Sequence, residues 1–241
     1  MRVHPLIVVY NHPESGLTDA EVTATLVAHK YCLDHHFEPA WNATAAFVLG
    51  DLAHPTPRSK MIWEHHLLGT SDEAGALGYH FDDSGTPVMR TFVQTDKKYG
   101  LSWQVTFSHE VVEALVDPFC MTCAQDPRKD PAEFFGFEVG DPVEGDKFAY
   151  TYHDVEFTDF ITPAWFSGDD GPYDFKHYCT QPFQVLEQGY CSIWKDGEWT
   201  SFQMQKGELV PTKDDDDVDK PRIRNTESRQ LRVKDYGLLD V

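Results

Sequence analysis

Apolar and polar positions alternate along this chain with two different periods. Residues 6–10, LIVVY, form an unbroken branched apolar run, which reads as a buried strand. Thr18 and Glu21 have the spacing of a capping box, and Val22, Leu26, His29 and Leu33 then recur at helical intervals. Residues 18–37 are therefore expected to be a helix that ends before Pro39. Residues 45–51 and 60–68 read as strands, and 75–94 as a hairpin around Asp83-Ser84-Gly85. A second helix follows: Ser102 stands at its cap position, Val105, Val112, Leu115 and Val116 give it an apolar side, and Pro118 ends it. The first half thus has the order β-α-β-β-β-α. The second half is aromatic and β-rich, with strands and hairpins expected over 133–145, 147–166 and 184–205, the last turning at Asp196-Gly197.

From about residue 210 this patterning gives way to charge. Asp214–Asp217 is an acidic run, and residues 220–234 carry six Lys or Arg against one Glu. The expected organisation is an α+β domain over 1–209, with a sheet and two helices in 1–118 and a β-rich part in 119–209. An extended charged C-terminal arm, 210–241, follows, and it is suited to contacts with a like or unlike neighbouring subunit.

The whole chain of 241 residues has 40 acidic and 20 basic side chains, a formal net charge of −20. Such a surface repels phosphate and anionic lipid, so neither nucleic acid nor a membrane is an expected partner. No apolar run reaches the ~18 residues of a membrane span. The five-residue run near the N-terminus is too short for a signal-peptide core, so the expected location is the cytoplasm or a virion assembled there. Five cysteines, an odd number, argue against a disulfide framework. All five are expected to be thiols without a catalytic role; Cys120 and Cys123 form a lone C-x-x-C.

The second helix carries the candidate chemistry, in the stretch SHEVVEALVDP. His109 and Glu113, four apart, share a face and could share one cation. The pattern is H-E-x-x-E where zinc peptidases usually have H-E-x-x-H. A carboxylate is a legitimate zinc ligand, and the extra negative charge makes the site more tolerant of harder divalent cations. Glu110, beside His109, is placed to be the general base that takes a proton from the attacking water. For the third ligand, Glu138 is preferred, then Asp141, then Asp117. His80, in the hairpin before the helix, is a further candidate for the substrate cleft, and Tyr79, His80 or Tyr190 for stabilising an oxyanion. The histidines of DHHF (34–37) and EHH (64–66) read as structural or solvated.

The element order resembles the N-terminal half of the zincin fold, in which a twisted sheet backs two helices and the second holds the metal ligands. Six blocks, FEPAWNATA, GALGYHFDDSGTP, SHEVVEALVDP, EVGDPVE, DFITPAWF and QGY, together resemble an uncharacterised zincin-like family of bacterial and phage proteins. The resemblance covers about residues 37–190 and leaves out the charged arm, Cys120 and Cys123. It implies a zincin-like fold and a site made of His109, Glu110, Glu113, Asp117, Glu138 and Asp141, with no particular substrate. The gluzincin branch takes its third ligand from a downstream Glu, as Glu138 would be here. The expected function is a metal-dependent hydrolase, a peptidase acting on a basic or neutral peptide or protein, with zinc or another divalent cation. Two other readings stand beside it: a virion subunit, head-decorating or tail-associated, on a zincin-like scaffold, and a metal-binding module without catalysis.

Overall fold

A computed structural model describes residues 4–73, 76–129, 132–195 and 197–212. The chain runs β1 (Leu6–Asn11), α1 (Asp19–Cys32), α2 (Glu38–Trp41), β2 (Ala46–Leu49), β3 (Ile62–Leu68), β4 (Gly78–Asp83), β5 (Thr86–Phe92), α3 (Val93–Tyr99) and α4 (Trp103–Val116). It continues through β6 (Cys123–Gln125), β7 (Phe134–Gly136), β8 (Tyr150–Tyr152), β9 (Val155–Phe157), α5 (Pro163–Ser167), β10 (Tyr190–Lys195), β11 (Glu198–Gln205) and β12 (Glu208–Pro211). The fold is α+β.

The first sheet has the order β2-β1-β3-β5-β4, parallel except where the β4–β5 hairpin sets β4 antiparallel at the edge. Ser84 and Gly85 make the hairpin's tight turn, both with positive φ, as the hairpin geometry demands. Helices α1 and α4 pack against each other and against this sheet. Gln104 on α4 bonds Thr25 on α1 at 3.1 Å, and the Phe107 ring stacks on His65 of β3 with centroids 4.1 Å apart. The second sheet is antiparallel, β12-β11-β10-β7-β6. The small β8–β9 hairpin ties to both helices, since Glu156 bonds His29 and Gln104 through its backbone.

Helix α1 starts as its sequence requires. Thr18 accepts from the Glu21 amide, and Glu21 returns a bond to the Thr18 amide, completing the capping box. Its end differs from expectation, because the chain stays helical past Pro39 to Trp41. Residues 33–37 widen into a π-turn, in which the Glu38 amide reaches back to the Leu33 carbonyl. Pro39 then falls in the first turn of α2, where its missing N–H costs little.

Helix α4 differs more instructively. Its apolar side was expected to face a polar one, yet every residue from Val105 to Leu115 is buried. The β8–β9 hairpin and the first sheet enclose it together, so its polar side chains lie in the interior. Ser102 sits at the cap position but makes no side-chain cap bond; its amide bonds Asp146 instead.

In the second half, strand structure is sparser than the aromatic pattern suggests. Only Phe134–Gly136 of 133–145 is strand, and Pro163–Ser167 is a helical turn with Pro at its start. Helix α3 and strands β6 and β12 have no counterpart in the expected elements. β12 runs past residue 209 into the segment assigned to the arm, and residues 213–241 of that arm lie outside the described residues. Within the described residues, no helix is long and apolar enough to cross a membrane.

Phe107→Ala removes a fully buried ring from the junction of α1, α4 and β3 and should cost about 3–5 kcal/mol. Thr18→Ala removes the capping box and should cost about 1 kcal/mol. Urea unfolding midpoints will order the two.

Candidate metal centre

α4 projects His109, Glu110 and Glu113 into the interior, and the loop after β7 brings Glu138, Gly140 and Asp141 against them. The Nε2 atom of His109 lies 3.1 Å from Glu113 Oε1 and 3.3 Å from Asp141 Oδ1. Neither ring nitrogen of His109 has a hydrogen bond of good geometry. Donor atoms of His109, Glu113 and Asp141 all lie within 4.8 Å of one another. Glu113 is fixed further by the amides of Gly140 and Asp141, at 3.2 and 3.3 Å.

Glycine allows this approach. A Cβ at Gly140 would sit 2.5 Å from His109 Nδ1, so only a residue without a side chain lets the loop lie on the imidazole. Gly78 plays the same part beside Glu110, where a Cβ would fall 2.9 Å from Oε1. Gly189, the glycine of QGY, presses on the backbone carbonyls of Asp141 and Pro142.

A second group adjoins the first. His80 on β4 places Nδ1 3.4 Å from Glu110 Oε2 and 3.8 Å from Glu113 Oε2. Its Nε2 is 3.2 Å from the carbonyl of Asp117 and 3.2 Å from Cys120 Sγ. His80, Glu110 and Glu113 also have donor atoms within 4.8 Å of one another.

Burial and crowded charge set the protonation of the site. Burial pushes Glu113 up to about 8, with Asp141 and Glu138 adding to the shift and His109 opposing it. Burial likewise raises Glu110. For His109, burial favours the neutral ring, but Glu113, Asp141 and Glu110 outweigh it and hold the pKa well above the usual range. His80 lies above its usual range as well: burial works against the charge, while Cys120, Glu110 and Glu138 support it. These groups hold protons where a cation would do the same work.

The expected residues are thus partly regrouped. Asp141, not Glu138, completes the group with His109 and Glu113. Glu138 is buried and its charge bears on both His80 and Glu113, but it belongs to neither donor group. Asp117 falls in neither donor group. Its carboxylate accepts from the amides of Met121 and Thr122, each at 2.9 Å, and closes the turn after α4. His80 does not line an open cleft, since it is fully buried. The Tyr79 hydroxyl, on the opposite face of β4, is taken by Asp72 and Arg90. All five cysteines are free thiols.

Two residues escaped the sequence reading. Glu144, the last residue of EVGDPVE, has its pKa raised well above normal by burial, and Asp141, Glu113 and Glu110 add to that shift. Its place in that block was the available signal. Cys120, packed on His80, had none. The DFITPAWF block serves the framework instead. Asp159, raised to about 9 by burial and by Asp174, accepts from the Phe160 and Lys176 amides, and Trp165 is fully buried.

Compared with protein-family models, curated proteins and solved structures, the chain has no match.

Above pH 6.5 these shifts act in one direction. Glu113 up to about 8, Asp159 up to about 9, and His80 and His109 all keep protons in the folded chain that the unfolded chain has released. Below 6.5, His29 and His65 oppose them, because burial depresses both. The urea midpoint of the metal-free protein should therefore fall as pH rises from 6.5 to 9. Gly140→Ala forces a methyl into the His109 ring and should cost about 1–3 kcal/mol in the same assay.

Proposed function

We propose that the protein is a zincin-like metal-dependent hydrolase acting on peptides, in which His109, Glu113 and Asp141 hold a divalent cation and Glu110 is the general base. The observation that carries this reading is the convergence on His109 Nε2, a buried nitrogen facing two carboxylate oxygens at 3.1 and 3.3 Å. One nitrogen and two carboxylates suit zinc and also accommodate harder divalent ions. The placement of α1 and α4 against one sheet, with α4 supplying two donors and a downstream loop the third, supports the zincin-like reading.

The cation, when bound, supplies Lewis acidity toward the substrate carbonyl. The chain's own residues do the rest. Glu110 lies one helical step from His109, and its raised pKa brings it toward the range in which a base also returns its proton. His80, at 3.4 Å, orients Glu110 and can hold a proton beside it. The −20 charge favours a basic or neutral peptide.

A second reading draws on the burial of every donor. A closed site with donors from α4 and the 138–143 loop suits a structural ion that clamps the two halves of the chain. That would fit a virion or other assembly subunit on a zincin-like scaffold.

Metal analysis of chelator-free protein and cleavage of a peptide library separate the two. The hydrolase reading expects one catalytic ion, lost in His109→Ala, and a ~10²–10⁴-fold loss of cleavage in Glu110→Gln with that ion retained. Metal-loaded wild type that cleaves nothing supports the structural ion, and wild type that binds no metal refutes both.

A further inference from the structure

We infer that the chain has a second divalent-cation site, formed by His80 Nδ1, Glu110 and the Oε2 oxygen of Glu113, whose occupation inhibits the hydrolase by taking Glu110 as a ligand. The inhibitory part rests on the proposed function; the site itself rests on the geometry alone.

His80 is oriented for this role. Its Nε2 faces the Asp117 carbonyl at 3.2 Å, which can only accept, so that nitrogen carries the hydrogen. The other nitrogen, Nδ1, faces Glu110 Oε2 and Glu113 Oε2, 3.4 and 3.8 Å away, where a cation can take the place of its proton. A ligand imidazole held by a backbone carbonyl on its far side is the usual support of a metal-binding histidine.

Glu110 supplies the second, independent observation. It is fully buried, and its Oε1 has no hydrogen-bond partner. Gly78 lets β4 lie close against that oxygen, where a Cβ would fall at 2.9 Å. Two donors of a tetrahedral zinc lie about 3.3–3.6 Å apart, given bonds of about 2.0–2.2 Å. His80 Nδ1 already lies 3.4 and 3.8 Å from the two carboxylate oxygens, and the donor atoms of all three residues lie within 4.8 Å of one another.

Glu113 joins the two sites. Its Oε1 faces His109 and its Oε2 faces His80, the placement of a carboxylate shared between two cations.

The test is zinc binding to the full, metal-stripped chain, followed by native mass spectrometry and calorimetry. Wild type should bind two zinc ions per chain, and His80→Gln one. Glu110→Gln should weaken the second ion at least tenfold while keeping the first, and circular dichroism checks that both variants fold. Peptide cleavage should rise with the first equivalent and fall with the second in wild type. A single zinc in wild type, unchanged in His80→Gln, overturns the second site and leaves the first intact. A second zinc that survives in both variants overturns the assignment too, because it sits elsewhere. No zinc at all defeats both sites.

Discussion

The structure depends on keeping a helix full of charge inside the protein. α4 is enclosed over eleven consecutive residues, Val105 to Leu115, and three of them are His109, Glu110 and Glu113. An isolated carboxylate in such a place would cost several kcal/mol, so it must be neutralised, paired or bound to a cation. The surroundings of α4 are arranged for this purpose. β4 delivers His80 on one side, the loop after β7 delivers Asp141 and two amides on the other, and glycines at 78 and 140 let both come close.

The buried histidines outside the site show the contrast. His29 and His65 flank Phe107 and are neutral, since burial holds His29 down to about 4 and His65 well below its usual range. They satisfy one nitrogen each, through the Glu156 carbonyl and the Thr91 hydroxyl, and behave as polar core residues. His80 and His109 have the same burial with carboxylates as neighbours, and their balance reverses. Environment, not burial, separates framework from site.

Much of this was legible in the sequence where the signal is local. The LIVVY strand, the Thr18–Glu21 cap and the Ser84-Gly85 turn all depend on neighbours a few residues apart, and so does the pairing of His109 with Glu113. The expected β-α-β-β-β-α order is short by one, since four strands, not three, separate α1 from α4. What eluded the sequence depends on tertiary contact. That Asp141 rather than Glu138 joins the donor group of His109 and Glu113 depends on how the 137–143 loop lies on α4, and the Asp117 carboxylate accepts from the amides of Met121 and Thr122. Cys120 reaches His80 only because the turn after α4 folds back, with Cys120 itself at a φ of 49°. The spacing of residues 133–166 suggested strands because aromatic residues fill a core as readily from loops as from sheets.

The contact of Gly189 with the carbonyls of Asp141 and Pro142 has a kinetic consequence. The parts of the site come from β4, α4, the loop after β7 and the start of β10, which are widely separated along the chain. Such non-local contacts carry a large loop-closure cost and tend to form late. The centre is whole only once the second sheet has docked on α4. An ion that bound only this completed centre would stabilise the native state over partly folded ones, and would slow unfolding without hastening folding.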